Sequence, residues 1–414
     1  MTMKKIELLA PAGNLEKAKI ALMYGADAVF VGGKTFSLRA RASNFERDDL
    51  SELVSFAHQR GKKVYVTTNI IPHDEDFLAL GDYLRFLENI GVDAIIVSSL
   101  ALAELAKKQA PNLAIHISTQ TSTYNSIALK YWKKKGASRV VLARELSLDE
   151  LKEMVPKTDL ELEVFIHGGM CAGFSGRCVL SNHMTMRDAN RGGCAHSCRW
   201  NYFLYQKSEL LPGFFNFGSK DLMAVPFIED FIRMGIASLK IEGRMKSIYY
   251  LATVVRAYRA LIDSYYEKGK IAEADMQEAA TEIAKAENRQ TSVGFLQGLP
   301  TVNEQLYDNR AETPTKEFVG MVLDYNPETQ MALIEQRNYF SVGDEVEFFG
   351  PFKKAVTFSV PPFVDFETQE ELTVARHPLQ KIRMAVPIPL EPYDMMRLVK
   401  TNRNYESKNE KTDD

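Results

Sequence analysis

Cysteine is scarce in this chain, with four in 414 residues. That is too few for a disulfide-stapled scaffold. Long apolar runs are missing too, and none approaches the roughly 20 residues needed to span a bilayer. The stretch from Lys5 to Pro11 is too short for the apolar core of a signal peptide. The expected location is therefore the cytosol, away from membranes. Charge of one sign is also lacking: 51 basic residues face 54 acidic ones, for a net charge of −3. This excludes a globally basic nucleic-acid coat and leaves room for a local basic site. With 24 Gly and 16 Pro, the chain is neither collagen-like nor low in complexity.

Familiar catalytic motifs are missing as well. Gly33-Lys34-Thr35 looks like the end of a phosphate loop, but Ala28 stands where that loop needs its first glycine. Gly173-Phe174-Ser175-Gly176 is not a nucleophile elbow, because Arg177 breaks the spacing. No H-E-x-x-H or H-x-x-E-H occurs.

What is present is alternation. Apolar strand-like runs start near Ile6, Ala28, Lys63, Ala94, Leu113, Arg139, Glu161 and Ser238. Helix-period stretches such as Leu15 to Met23 and Phe77 to Glu88 lie between them. Gly25, Gly91, Gly136 and Gly235 each punctuate a helix end before the next strand. Eight strands alternating with helices is the count of an α/β TIM-type (β/α)8 barrel. A doubly wound open sheet is the other arrangement. The barrel would take residues 1–268, with a cysteine-rich insertion at 167–220 after its seventh strand. Residues 269–316 read as a helical linker. Short alternating runs at Phe318 to Leu323, Met331 to Gln336, Glu345 to Phe349 and Lys381 to Val386 predict a small all-β, barrel-like domain over 317–397. The polar tail, 398–414, reads as disordered.

All four cysteines fall in one window: Cys171, Cys178, Cys194 and Cys198. Four thiolates in a reducing compartment suit a zinc ion or an iron–sulfur cluster. Zinc ribbons prefer tighter C-x2-C or C-x4-C knuckles, so the six-residue first gap favours a cluster. Arg177, Arg187, Arg191 and Arg199 share the window with one acid, Asp188. Such an arginine group suits phosphate or carboxylate, or neutralises an anionic cluster.

Polar residues gather where the barrel strands should end: Asn69, Ser118 and Gln120, Arg144 and Glu145, His167, and Glu242 with Arg244. Period-two alternation turns His116, His167, Lys240 and Glu242 toward the barrel interior. Buried charge is costly without partners, so these four are the candidate catalytic groups, and a structural ion-pair network is the other reading. Arg177, Arg191, Arg199, Arg244, Asn69 and Gln120 are the candidate substrate-binding groups.

Several segments together resemble the collagenase-like peptidase family U32. They include Glu163-Val164-Phe165-Ile166-His167-Gly168, Ser175-Gly176-Arg177-Cys178, Asn190-Arg191-Gly192-Gly193-Cys194, Ser219-Lys220-Asp221-Leu222 and Lys240-Ile241-Glu242-Gly243-Arg244. The likeness spans nearly the whole chain and is strongest toward the family's tRNA 5-hydroxyuridine modification group. It implies oxygen-independent, prephenate-dependent hydroxylation at C5 of the wobble uridine of tRNA. It also implies a 4Fe–4S cluster on the four cysteines, with prephenate as co-substrate and tRNA as partner. A paralogous subunit of the same family is a further implied partner. The family name keeps a metallopeptidase, and a non-catalytic subunit of a modification complex, as alternatives. In the all-β domain, Arg337-Asn338-Tyr339-Phe340 reads as an exposed turn with either ring able to stack on a base, and an ordinary packing module is the other reading.

Overall fold

The computed structural model of the chain describes residues 5–38, 44–286, 289–306 and 316–400. The chain divides into two compact units, Met1–Thr313 and Pro314–Asp414.

In the first unit eight parallel strands close on themselves. They are β1 (Glu7–Pro11), β2 (Ala28–Gly32), β3 (Lys63–Thr68), β4 (Ala94–Val97), β5 (Ala114–Ile117), β6 (Arg139–Val141), β7 (Glu161–Gly168) and β8 (Ser238–Ile241). Each pairs with its successor, and β8 also pairs with β1. That closure makes a TIM-type barrel and rules out the open sheet. Every strand begins within one residue of its expected start, because parallel strands covered on both faces are near-continuous apolar runs. Helices pack outside. Among them, Leu15–Met23 starts at Asn14, whose side chain accepts the Lys17 N–H at 2.9 Å. The longest, Ile248–Lys268, buries Tyr250 and Tyr258. Inside the barrel, Leu9, Ala28, Phe30, Tyr65, Ala94 and Ile96 pack together.

The segment after α-helix Ile248–Lys268 is not a free linker. Helix Glu273–Ala284 buries Ala279 and Ile283, and Arg256 pairs with Glu282 at 3.3 Å. Strand Thr291–Ser292 then pairs with strand Asp221–Met223, which itself runs antiparallel to β7. The apolar positions of this segment need cover, and the barrel unit supplies it.

The second unit is an eight-stranded antiparallel sheet. Four strands stand where alternation predicts them: Glu317–Asn326, Met331–Gln336, Glu345–Phe349 and Lys381–Ala385. Val319, Ile334, Phe348, Ile382, Met384 and Met396 form its core. Phe340 belongs to this core too, fully buried, and Arg337 pairs with Glu335 at 2.6 Å. Of the two rings in the expected base-stacking turn, Phe340 is therefore corrected to a packing role, while Tyr339 is half-buried. Residues 398–400, expected in the tail, end strand Met395–Lys400, where Leu398 pairs with Val346; 401–414 lie outside the described residues. Among the described residues, no helix is long and apolar enough to cross a membrane.

Candidate functional site

Gly168 ends β7 with φ +103, and a Cβ there would lie 2.4 Å from the Glu242 carbonyl oxygen. Only glycine turns the chain here so close to β8. Residues 169–220 then leave the barrel from the C-terminal strand ends, the face where barrel chemistry sits. The exit is clamped twice. Arg144 donates to the Gly169 carbonyl at 2.6 Å, and Arg199 to the Met170 carbonyl at 3.1 Å. Further on, the Ser175 N–H and hydroxyl both donate to the Glu145 carboxylate, at 2.7 and 2.9 Å.

The four cysteines carry free thiols; Cys171 is exposed and the others half-buried. Burial pushes the Cys198 thiol up. Arg199 pulls it down, and charge on Cys171, Cys194 and Cys178 pushes it up further. The Ser181 hydroxyl donates to the Cys194 sulfur at 3.9 Å and accepts the Ala195 N–H at 3.0 Å. Among the described residues, no three His, Cys, Asp or Glu side chains are grouped tightly enough for a single metal ion. Four thiolates on one excursion of the chain are a donor set that either a zinc ion or a four-iron cluster could take.

Beside this window lies a cationic group around one carboxylate. Asp221 is buried, with Arg289 at 3.1 Å and Arg199 and Lys246 each at 3.8 Å. Burial pushes the Asp221 carboxyl up, against the pull of Lys246 and Arg199, and Glu242 adds to the rise. Arg144 Nε is buried without a hydrogen-bond partner, while Asp221 Oδ1 and Arg289 Nη1 meet only as an ion pair, without hydrogen-bond geometry. Four cations and two acids leave a surplus of positive charge, which suits an anionic ligand. Sequence reasoning missed Asp221, Lys246 and Arg289 in this role. Asp221 lay inside a quoted motif, but nothing in the local pattern says that Arg289 returns to the same place.

The residues singled out by sequence divide. Arg199 and Glu242 belong to this group. Arg177 is exposed and donates to Ser122 Oγ at 3.3 Å. Gln120 is half-buried; its Oε1 accepts from Ser118 at 3.2 Å, and its Nε2 has no hydrogen-bond partner. Asn69 accepts the Leu38 N–H at 3.3 Å. Two arginines are corrected from ligand hooks to braces. Arg191 grips Asp76 at 2.7 Å and the Ile71 carbonyl at 2.6 Å, tying the insertion to the loop after β3. Arg244 is buried, donating to Ser37 at 2.7 Å, Thr67 at 3.1 Å and Asn44 at 2.5 Å.

His167 is a further correction. The register between β7 and β8 shifts so that Phe165 faces Lys240 but His167 faces Ile241. That irregularity reverses the alternation, and His167 turns outward to the helix layer. There its Nδ1 lies 3.3 Å from the Tyr258 hydroxyl. His116 does face inward, with its ring 4.7 Å from that of Tyr65. Lys240 also faces inward, in an interior ion network. It pairs with Glu163 at 2.7 Å, Arg139 binds Glu163 at 3.2 Å and Glu7 at 2.5 Å, and Tyr65 donates to Glu7 at 2.6 Å.

Burial pushes the pKa of His167 down to about 3, and that of His116 well below the ordinary value. Unfolded histidine titrates near 6.5. Between these values the unfolded chain binds protons that the folded chain refuses, so stability is full above about pH 6.5 and is lost as pH falls. The His167→Gln variant is expected to lose up to about 1.4 kcal/mol per pH unit of that acid slope. Urea unfolding from pH 7 to pH 4 checks this, and an unchanged slope contradicts it.

Residues 13–306 match the pattern described as peptidase family U32, and residues 314–397 match the U32 C-terminal domain. The chain is 49% identical over 407 residues to tRNA hydroxylation protein P1 of Bacillus subtilis, covering 95% of each chain. It is 37% identical over 280 residues to a 23S rRNA 5-hydroxycytidine synthase of Escherichia coli, covering 65% of this chain and 41% of that one. It is 29% identical over 418 residues to a collagenase of Porphyromonas gingivalis, covering 96% and 98%.

Proposed function

The chain belongs to peptidase family U32, and from that membership we propose that it is an RNA-base hydroxylase acting at C5 of the wobble uridine of tRNA, in the cytoplasm, with prephenate as co-substrate and a 4Fe–4S cluster on Cys171, Cys178, Cys194 and Cys198. The observation that carries this reading is the end-to-end likeness to a protein named for tRNA hydroxylation. The relative named for 5-hydroxycytidine in ribosomal RNA supports C5 of a pyrimidine as the reacting position.

The cluster, when bound, supplies electron transfer at the barrel mouth. The rest falls to the chain's own residues. Arg144, Arg199, Lys246 and Arg289 bind and orient the carboxylates of the co-substrate through charge-assisted hydrogen bonds. Glu242, half-buried, adds a second acid to the charged group around Asp221. Lys240 acts one layer deeper, as a positioning residue. The Phe165 ring takes Arg144 on one contact at 3.9 Å and Lys240 on another at 5.5 Å. His116 and His167 hold the barrel wall in place.

Anaerobically purified protein, given tRNA with and without prephenate, tests the reading by mass spectrometry of digested nucleosides. Uridine carrying one added oxygen is expected only when both are present. No product from iron-loaded protein overturns the reading, unless a paralogous subunit restores it and assigns the chemistry to a complex. The Arg144→Ala variant is expected to need about 10- to 100-fold more prephenate for half-saturation, with iron content unchanged. The full-length collagenase match favours a second reading, peptide-bond hydrolysis. It predicts gelatin cleavage by the same preparation, abolished by a chelator.

A further inference from the structure

The insertion carries a rigid aromatic group that none of the above uses. The rings of Tyr202, Phe215 and Phe217 meet one another at 5.8, 5.4 and 5.1 Å between centroids. The group is anchored to the cysteine window at both ends. The Tyr202 hydroxyl donates to the Ser197 carbonyl at 2.6 Å, and the Phe217 N–H donates to the Cys198 carbonyl at 2.8 Å. Tyr202 and Phe215 also exchange backbone hydrogen bonds, at 2.8 and 2.9 Å. Yet Phe217 leaves 47% of its surface in solvent. Its two neighbours meet it edge-on, at 63° and 75°, so neither lies flat on it.

Phe203, Leu204, Tyr205 and Leu210 of the same segment are exposed as well, and an apolar surface rimmed by polar residues marks a site that a partner covers. The surroundings say what that is. Residues 169–220 hold six basic and two acidic side chains. The Arg199 side chain passes beside Gly218, next to Phe217. An exposed ring on a cationic segment that leaves the barrel at its C-terminal strand ends matches the single-strand pattern of base stacking plus phosphate contact. Enzymes that work on a base also need it out of the helix stack and held in place.

We propose that Phe217, braced by Tyr202 and Phe215, is the platform on which an unpaired RNA base stacks as it reaches the cysteine window. This rests on the RNA reading above and names its positioning residue. The ring touches the base but not the bond that changes, so its loss raises the RNA concentration needed while the rate at saturation changes little.

The test measures binding of a short RNA stem-loop with a loop uridine, and of the same RNA with that base removed, to the full-length protein. Phe217→Ala is expected to weaken intact RNA roughly 5- to 150-fold, the value of one base–aromatic stack. Phe217→Trp should restore binding. The abasic RNA should bind wild type and Phe217→Ala alike. Intact RNA held equally well by wild type and Phe217→Ala overturns the platform and leaves the RNA reading standing. Equal weakening of intact and abasic RNA also overturns it, because the ring then acts through the fold. Wild type that binds neither RNA removes both readings. Self-association lost in Phe217→Ala, with RNA affinity unchanged, gives the face to a protein contact and overturns the platform.

Discussion

Cys178→Ser is expected to strip the protein of bound iron and of RNA hydroxylation together, by more than about 100-fold. Loss of even an outer partner of a metal site costs about 10- to 100-fold in affinity or activity, and Cys178 is proposed as a direct ligand. A graded comparison is available in the same window. Ser181 donates to the Cys194 sulfur from a buried position. Ser181→Ala should therefore fall in the 10- to 100-fold range, with iron weakened but not absent. Iron, sulfide and zinc analysis, with an absorption spectrum of anaerobic protein, reads both variants. About four irons and four sulfides in wild type agree with a four-thiolate cluster. About one zinc per chain would make the cysteines a structural site. A colourless Cys178→Ser variant with full activity contradicts the assignment.

Glu163→Gln is expected to destabilise the barrel by about 3–5 kcal/mol, the cost of leaving a buried charge without its partner. Glu163 is fully buried and neutralises two cations, Lys240 and Arg139. Burial pushes the Lys240 amine down, with Glu163 opposing, so Lys240 depends on that one carboxylate. Lys240→Met removes the dependent charge and should cost less. The double variant should be more stable than the sum of the two single losses, because neither remaining group is stranded. Urea unfolding of the three variants measures the coupling. Additive losses contradict the network, and the same protein samples assayed for hydroxylation separate a positioning role of Lys240 from a purely structural one.

The barrel was legible because its signal is local. Apolar runs such as Ala94–Val97 and the glycines that end the preceding helices need no knowledge of the rest of the chain. The clustering of the four cysteines is likewise visible in the sequence alone. Three things were not. Orientation of His167 depends on a one-residue register shift against β8, and strict alternation has no way to register a bulge. Arg191 and Arg244 looked like ligand groups, because their partners Asp76, Ser37, Asn44 and Thr67 lie far off in sequence. The mouth itself joins Arg144, Arg199, Asp221, Lys246 and Arg289, five positions that only the closed barrel and the returning segment bring together. In the second unit, strands Val356–Ser359 and Phe363–Asp365 escaped notice because they are short and carry few inward positions.

The most direct test uses cells that lack their own tRNA hydroxylation, complemented with this chain or with its Cys178→Ser variant. Nucleosides from bulk tRNA are then measured by mass spectrometry. The account predicts 5-hydroxyuridine and its derivatives with the wild-type chain and none with the variant. Product at equal levels from both, or from neither while the wild-type chain is present and iron-loaded, would contradict it.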